Sequence, residues 1–595
     1  MNFFLIHIII YLLLTLWRII LKKLLTFFKG YRKESIIAPA FKCLEAIFEL
    51  LVPLTVAAII DVGIKQNDKK TIYLMCGVMI ALGIIGLACA ICAQFFAAKA
   101  AVGVSAKLRS ALFSHIEDLG YAKADAIGTS TLITRMTGDI NSVQTGINMF
   151  LRLFMRSPFI VFGAMIMAFT IHARLASIFA IIIAILGLVV FGIMMICIPL
   201  DKKTRASTDR VVGKVRETYT GARVVRAFNK EEGEISDFTH RHKALTRLQL
   251  FTGKISALMN PMTYVLINLA VILLIRNGAI SVDSGEISQG QLIALYNYMS
   301  QILVELIKLA NLIVTLNKAV AGAHRVSDIL DTPTDAPRIA DTDTDETQCA
   351  VRFQNVSYRY HSDADPAILD INFCVEKGQT VGIIGGTGSG KTTLINLIPG
   401  FYAPTSGSVF VNGKNTSLYD QNELRSLFGV IPQKPVLFKG SIRSNLQWGQ
   451  DNATEEEMWT ALEYAQAKDF VEEKEAKLDE AVSQYGKNFS GGQRQRLTIA
   501  RALIRRPSFL IFDDSASALD FGTESRLLGA IRNLPYRPTV FIVSQRTSSI
   551  MRADLILVMD DGQIVGSGTH AELVTSCEIY REIHRSQFSE GGEQV

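Results

Sequence analysis

Charged residues are scarce in this chain of 595 residues: 19% are Asp, Glu, Lys or Arg, whereas 49% are hydrophobic. A soluble globular protein carries about 25% charged residues, so the composition excludes a single ordinary cytosolic domain. The formal net charge of +6 is too weak, at this length, to indicate a nucleic-acid-binding surface. The excess of apolar residues lies before residue 320 and predicts membrane-spanning segments there.

Cysteine is also infrequent, and its eight positions are scattered along the chain. Their spacing predicts no disulfide framework. Cys89 and Cys92 have the spacing of a metal-binding pair, but no His or second Cys pair follows in the same segment. We therefore interpret both as thiols of a membrane core and predict no metal site from them.

Six apolar segments are long enough to cross a bilayer, which takes about 20 apolar residues. They cover roughly 36–60, 71–98, 149–172, 175–200, 255–275 and 290–317, and they predict a membrane α-helical bundle over residues 34–322. The long connections share one side of the membrane, and the second is rich in Lys and Arg. The positive-inside rule makes that side cytoplasmic. Helical periodicity in these connections predicts that the membrane helices continue into the cytoplasm.

A few ionisable residues interrupt or border the predicted spans. Glu49 and Glu305 lie inside spans, where charged groups are costly and usually face a bundle interior or a wet cavity. Two interpretations stay open: they line a path for a cationic solute, or they pair with neighbouring helices. Arg152 and Arg156 lie in the first part of the third span, just before its uncharged run 157–171, and we expect their long side chains to reach the cytoplasmic interface.

Two segments border the membrane domain. Residues 1–33 contain an apolar run followed by basic residues, the reverse of the order in a secretory signal, and are predicted to form an interfacial helix on the lipid bilayer. Residues 323–349 are predicted to form a linker, because most of this stretch is acidic, turn-rich and almost free of large apolar side chains. From 350 to 590, short β-branched runs alternate with helical stretches, which is typical of an α/β domain.

The α/β domain contains a glycine-rich loop between a predicted strand and a predicted helix, TVGIIGGTGSGKTTLINLI at 380–398. This is the P-loop pattern in the context that it requires. Backbone N–H groups ahead of a helix bind phosphate, Lys391 neutralises its charge, and Thr392 is expected to ligate magnesium. The predicted ATP-binding residues of the loop are Gly385, Gly386, Thr387, Gly388, Ser389, Gly390, Lys391, Thr392 and Thr393.

Two further patterns accompany the P-loop. RRPSFLIFDD at 505–514 predicts a Walker B strand that ends in two carboxylates, with Asp513 holding hydrated magnesium and Asp514 orienting the attacking water.

The second pattern is KNFSGGQRQRLTIARAL at 487–503, which places Ser490 and Gln493 with the spacing of a capping box at the start of a helix. A capped helix start with two glycines is also an exposed phosphate site, and we favour that function.

With these motifs, residues 351–586 resemble the nucleotide-binding domain of an ATP-binding cassette (ABC) protein, and residues 36–320 are similar to the membrane half of the type IV ABC exporters. The resemblance implies ATP-driven export with ATP and Mg²⁺ as cofactors. It implies that Tyr360 stacks on adenine, with Tyr358 as a near alternative, and that Gln433 contacts magnesium. The implied signature is Phe489, Ser490, Gly491, Gly492 and Gln493, and the implied D-loop is Ser517, Ala518, Leu519 and Asp520.

The resemblance also locates the connections between the two domains. The coupling helices are expected near 124–130 and 217–226, and the loop that reports to the helices is expected at Gln484, Tyr485 and Gly486. The implied location is the cell membrane of a bacterium, with several spans and a cytoplasmic nucleotide-binding domain. The uncharged run 71–98 excludes a soluble ATPase.

Two positions depart from the family pattern, which usually has Glu after the Walker B Asp and His in the switch loop. This chain has Asp514 and Gln545 there. Asp withdraws the carboxylate by about 1.3 Å, comparable with a misplacement that costs about a hundredfold in rate. Gln545 is able to hydrogen-bond a phosphate but cannot carry a positive charge. The sequence therefore predicts a catalytically degenerate site in which the ATP-binding residues are complete.

In the family, two nucleotide-binding domains enclose two ATP molecules, and each site uses one chain's Walker motifs and the other chain's signature. We therefore expect a heterodimer with a second half-transporter, in which this chain's Walker site binds ATP and turns over slowly, while its signature completes a competent site. The alternatives are a homodimeric exporter with weak ATPase activity and a nucleotide-sensing subunit that gates a partner. We expect no nucleic-acid partner, and the exported solute stays open among drugs, lipids and peptides.

Overall fold

The computed structural model describes residues 26–334, 349–360, 364–515 and 518–587. Most of the predicted interfacial segment 1–33, and most of the predicted linker, lie outside these ranges. The chain forms two compact units. The first contains the described residues up to Glu117 together with Thr129–Thr332, and the second joins Asp118–Gly128 to the described residues from Pro333 onward.

The described chain as far as residue 330 is helical. Its helices are α1 (Arg32–Ala58), α2 (Lys69–Glu117), α3 (Tyr121–Ile127), α4 (Thr129–Thr134), α5 (Ile140–Met149), α6 (Arg156–Ile171), α7 (Ala173–Thr220), α8 (Ala222–Ala227), α9 (Glu231–Ala257), α10 (Met259–Asp283) and α11 (Gln289–Leu330). Short π-helical segments at Ile59–Ile64, Arg135–Asp139 and Phe150–Phe154 continue three of these helical stretches.

Six helical stretches of the described residues are long and apolar enough to cross a membrane: Arg32–Ile64, Lys69–Glu117, Thr129–Ile171, Ala173–Thr220, Glu231–Asp283 and Gln289–Leu309. The predicted fold class is therefore confirmed. With 49 residues, α2 is about 70 Å long at 1.5 Å per residue. A bilayer core is about 30 Å thick, so this helix extends well beyond the membrane.

Four charged residues of the spans form an ion-paired cluster with one serine, which we define as Glu49, Arg156, Ser157, Glu305 and Lys308. The Arg156 guanidinium donates to Glu305 Oε1 at 2.8 Å and to Glu49 Oε2 at 2.6 Å. The structure therefore shows the pairing of both glutamates with neighbouring helices. The expectation that Arg156 reaches the cytoplasmic interface is wrong, because this side chain is buried against its two carboxylate partners.

The second unit contains an α/β domain. Its strands are β1 (Val351–Tyr358), β2 (Ile368–Val375), β3 (Thr380–Gly385), β4 (Ser406–Val411), β5 (Lys414–Asn415), β6 (Phe428–Ile431), β7 (Gly440–Ser441), β8 (Ala481–Val482), β9 (Phe509–Asp513), β10 (Thr539–Val543), β11 (Leu555–Asp560) and β12 (Gln563–Gly568). Its helices are α12 (Lys391–Leu397), α13 (Gln421–Ser426), α14 (Ile442–Gln447), α15 (Glu455–Tyr464), α16 (Lys468–Glu472), α17 (Gly491–Leu503), α18 (Phe521–Arg532), α19 (Thr547–Ile550), α20 (His570–Ser576) and α21 (Glu578–Gln587).

Two main sheets organise this domain. The larger has the order β12-β11-β3-β10-β9-β6, and all its neighbouring strands are parallel except the antiparallel pair β11 and β12. The smaller is antiparallel, with the order β2-β1-β4-β5. The parallel strands of the larger sheet are almost continuously apolar, as expected for strands buried on both faces. Phe509, Phe512 and Phe541 from this sheet are fully buried in the core.

One cysteine pair contradicts the sequence expectation. The sulfur atoms of Cys349 and Cys374 lie at bonding distance, with 5.8 Å between the Cα atoms. Cys374 lies on β2, and Cys349 precedes β1, its antiparallel neighbour. The expectation of no disulfide framework is therefore wrong for this one pair, because strand pairing brings together two positions that are 25 residues apart in sequence.

Candidate functional site

Four neighbouring parallel strands of the larger sheet deliver the predicted site residues to one edge. The P-loop follows β3, and the strands β6, β9 and β10 are followed by Gln433, Asp514 and Gln545. The carboxyl ends of parallel strands meet at the same edge, and ligands of open α/β sheets bind there. The topology therefore gathers motifs that are more than 150 residues apart in sequence into one site.

The P-loop connects β3 to α12 and keeps its lysine inside the loop. Lys391 Nζ donates to the carbonyl oxygens of Gly385 at 2.9 Å and Gly386 at 2.5 Å. Gly390 has φ +93°, and a Cβ at this position would lie 2.6 Å from the carbonyl oxygen of Ala367. Only glycine fits there without strain. The loop therefore needs glycine here, and it holds the ammonium group close to its own backbone.

The carboxylates at the end of β9 contact the other predicted residues of the edge. Thr392 Oγ1 donates to Asp513 Oδ1 at 2.9 Å. Gln433 Nε2 donates to Asp514 Oδ2 at 3.3 Å, and Gln545 Nε2 lies 3.5 Å from the same oxygen. The two positions that depart from the family pattern are thus direct neighbours in space, and one carboxylate oxygen of Asp514 faces both amides.

Burial perturbs the charged groups of this edge. Desolvation raises the pKa of Asp513, and the neighbouring charge of Asp514 raises it further. Desolvation also raises the pKa of Asp514, although the Gln433 hydrogen bond opposes this change. The pKa of Lys391 is lowered by desolvation, against the attraction of both carboxylates. Burial therefore disfavours the charged forms of Asp513, Asp514 and Lys391. In such an environment a charged ligand is expected to change the protonation of these groups when it binds.

The signature segment forms a capped helix start. Ser490 Oγ accepts from Gln493 N at 3.3 Å, and Gln493 Oε1 accepts from Ser490 N at 3.0 Å. Phe489 is buried beneath this start. A Cβ on Gly491 would meet nothing within 4 Å, so the turn is open on that side. The capping box and an open backbone at Gly491 therefore occur together in one segment.

The neighbouring loops are described in part. Asp520 caps α18 by accepting from Thr523 N at 2.9 Å. Leu519 is buried, whereas Ser517 of the predicted D-loop lies outside the described residues. Tyr485 is exposed at the centre of the 3-10 turn Gln484–Gly486, with φ +63°. An outward-facing aromatic side chain on a strained turn is well suited to contact another protein segment.

The two tyrosines proposed for adenine stacking differ in exposure. The Tyr360 side chain is 49% exposed and its hydroxyl lies 2.9 Å from Thr393 Oγ1. Tyr358 is 5% exposed, and its ring centroid lies 5.0 Å from that of Tyr360. A stacking platform needs an open ring face, so the structure favours the prediction of Tyr360 over the alternative.

The first predicted coupling segment belongs to the same unit as the nucleotide site. Tyr402 OH donates to Asp125 of α3 at 2.8 Å, and the rings of Tyr121 and Phe401 lie 4.5 Å apart. The guanidinium of Arg425 lies 5.6 Å from the Tyr121 ring centroid. Sequence reasoning missed Phe401, Tyr402 and Arg425, because nothing in their local pattern marks a residue that contacts a helix about 280 positions earlier.

Comparisons with known proteins identify the family of this chain. A family model described as "ABC transporter transmembrane region" matches residues 35–306, and one described as "ABC transporter" matches 368–517. The chain is 32% identical to the uncharacterized ABC transporter ATP-binding protein YfiB of Bacillus subtilis, over 96% of this chain and all of that protein. It is 34% identical to an uncharacterized ABC transporter ATP-binding protein of Mycobacterium tuberculosis, over 94% of this chain and 97% of that protein.

This chain belongs to the ABC transporter family. A solved structure of a bacterial Atm1-family ABC exporter with ATP bound has the same fold, with a TM-score of 0.78 at 22% identity, and it covers 94% of this chain and 99% of that one. The ABC transporter described here is thus a half-transporter: one chain fuses a membrane domain to an ATP-binding domain. It is a multi-pass membrane protein with a cytoplasmic nucleotide-binding domain, and it hydrolyses ATP.

Proposed function

We propose that this ABC transporter is the slowly hydrolysing half of a heterodimeric exporter. One observation carries the proposal: Asp514 and Gln545, which the family resemblance assigns to the two catalytic positions, face each other at the carboxyl edge of the larger sheet. The Gln545 amide is 3.5 Å from the Asp514 carboxylate, so the shorter acid already has a neutral hydrogen-bond partner. Asp514 lacks the longer carboxylate side chain with which the Glu of the family pattern reaches the attacking water. Gln545 lacks the imidazole with which the His of the family pattern contacts the phosphate.

The residues for binding ATP are complete. Tyr360 offers an open ring to the adenine, and Lys391 is positioned to exchange its loop carbonyls for phosphate oxygens. Thr392 and Asp513, with Gln433 beside them, form an all-oxygen donor set that fits Mg²⁺. When bound, the ion would neutralise phosphate charge. The pKa of Lys391 is lowered by burial, and a phosphate beside it would raise that pKa and so favour the charged form.

The signature supports a second, intersubunit role. Gly491 stands at an open helix start, where the backbone N–H groups that the capping box does not use are available to phosphate. In this proposal they complete the site of the partner, whose own Walker B Glu and switch His perform hydrolysis. ATP binding closes the paired domains and reorients the membrane helices outward, and hydrolysis at the partner's site resets them.

Exposed apolar side chains on the second coupling segment favour a dimer. The helix α8 lies at residues 222–227 and overlaps the stretch 217–226 expected from the sequence, and Val224 and Phe228 are 60% and 71% exposed. On the nucleotide-binding domain, Phe438 and Trp448 stack at 4.2 Å and are also exposed. Large apolar groups clustered at a surface mark interaction sites. A second half-transporter would cover both patches.

ATP hydrolysis by the purified full-length chain, alone and with a co-expressed second half-transporter, tests this proposal. We expect the chain alone to bind ATP with little turnover, and the pair to hydrolyse ATP. Lys391→Met is the control that removes binding. Substantial hydrolysis by the chain alone would contradict the proposal and favour a homodimer. Nucleotide-independent flux in vesicles containing the pair, with the partner's catalytic Glu replaced, would instead favour a gating subunit.

A further inference from the structure

The switch loop of this transporter is held by the last helix that the structure describes. The loop runs from the end of β10 to the start of α19 and contains Ser544, Gln545 and Arg546. The helix α21 ends at Gln587, directly against this loop. No motif in the sequence marks this contact, which joins positions about 40 residues apart.

One amide side chain contacts both sides of the loop. Gln587 Oε1 accepts from Thr547 N at 2.8 Å and from Thr547 Oγ1 at 3.0 Å. Gln587 Nε2 donates to the backbone carbonyl of Gln545 at 2.6 Å. The donor and the acceptor of Gln587 are thus both used, and they fix the backbone on either side of Arg546. These contacts hold the backbone from which the Gln545 side chain extends.

The helix that carries this residue is firmly anchored. Tyr580 of α21 is fully buried, and its hydroxyl lies 2.7 Å from His570 Nδ1. On the opposite side, Arg546 donates to Glu524 of α18 at 3.1 Å, and Ser549 donates to the other oxygen of the same buried carboxylate. The switch loop is therefore held between α18 and α21, and Gln587 is the contact nearest to Gln545.

We propose that Gln587 is a positioning residue for the switch loop, which sets the place of Gln545 beside Asp514 and beside the terminal phosphate of ATP. The inference rests on the proposed function in one respect, namely that Gln545 contacts the nucleotide. It adds that release of nucleotide from this chain's Walker site depends on α21. The residue acts through Gln545 and touches neither the nucleotide nor the attacking water.

Hydrogen exchange of the full-length protein tests the geometric part without any nucleotide. Gln587→Met keeps the length of the side chain and removes all three hydrogen bonds. We expect exchange of the segment 544–549 to accelerate about tenfold, since such contacts limit local opening. Thr547→Val removes the hydroxyl contacts with Gln587 and His584 but keeps both backbone hydrogen bonds of Gln587, and it is expected to give about a threefold change. Glu582→Met, an exposed position on the same helix, is the matched control and is expected to leave the segment unchanged.

Release of a fluorescent non-hydrolysable ATP analogue with Mg²⁺ tests the functional part. We expect Gln587→Met to speed release several-fold at an unchanged melting temperature, whereas Glu582→Met releases at the wild-type rate. Unchanged exchange of the switch loop in Gln587→Met, or in Thr547→Val if the first variant does not fold, would overturn the inference. If hydrogen exchange of the switch loop accelerates in Gln587→Met while release of the ATP analogue is unchanged, Gln587 positions the loop but has no role in nucleotide retention. Neither readout involves ATP hydrolysis. Failure of the inference about Gln587 is therefore distinguishable from failure of the proposal that the Walker site hydrolyses slowly.

Discussion

Replacing Arg156 with Met would remove the central cation of the ion-paired cluster. Its guanidinium reaches Glu305 Oε1 at 2.8 Å and Glu49 Oε2 at 2.6 Å, and so connects α6 with α11 and α1. The Glu305 side chain is 4% exposed. Removing one partner of a buried ion pair costs about 3–5 kcal/mol, because the remaining charge stays buried without compensation.

Two other groups moderate the loss. Ser157 Oγ donates to Glu305 Oε2 at 2.7 Å, and Lys308 Nζ donates to Oε1 at 2.9 Å. We therefore expect the lower end of the range, about 3 kcal/mol. Lys308 is about half exposed, and pairs of that kind contribute at most about 1 kcal/mol. Lys308→Met is thus a control that removes a cation from the same carboxylate at a much smaller cost.

Denaturant unfolding of the full-length protein in detergent measures these differences. The double substitution Arg156→Met with Glu305→Gln should recover part of the stability, because it removes the uncompensated charge as well. A loss below about 1 kcal/mol in Arg156→Met would refute the reasoning. If Lys308→Met lowers the free energy of unfolding as much as Arg156→Met does, burial of the ion pair does not determine how much each cation contributes.

Two further predictions concern the cytoplasmic unit. Tyr402→Phe removes the hydroxyl that donates to Asp125, so hydrogen exchange of α3 should accelerate about fivefold while ATP affinity is retained; Tyr419→Phe, whose hydroxyl bonds to Val411 instead, is the control. Burial and the neighbouring His584 lower the pKa of His570 below 6.5. The unfolded chain therefore binds the proton more readily, and the melting temperature should fall as the pH drops below about 6.5. His570→Gln should flatten this dependence, and an identical slope in the variant would contradict the assignment.

The fold was predictable to the extent that its signals are local. The uncharged run 71–98 and the loop that contains Lys391 each fit within one helix or one strand-loop-helix unit, so periodicity and residue type suffice. The pairing of Arg156 with Glu305, 149 residues apart, depends instead on which helices pack together. The same holds for the pair Cys349 and Cys374, which only the strand register brings into reach.

The candidate site also contains residues that local motifs identify and residues whose role depends on tertiary contacts. Asp514 and Gln545 are both identifiable from the sequence motifs, yet their contact depends on the adjacency of β9 and β10 in the sheet. Tyr402 and Gln587 carry no local signal, since a tyrosine and a glutamine at such positions are ordinary surface residues until a distant segment meets them. Side-chain roles that arise from tertiary neighbours cannot be inferred from one sequence.

ATP turnover at this chain's own Walker site tests the central claim most directly. The pair of half-transporters is purified with the Walker lysine of the partner replaced, so that only the site containing Asp514 and Gln545 is able to turn over. We predict slow hydrolysis, which rises about a hundredfold, or about 2.7 kcal/mol in barrier, when Asp514→Glu and Gln545→His are introduced together. An unsubstituted site that already hydrolyses ATP as fast as the doubly substituted one would contradict the account.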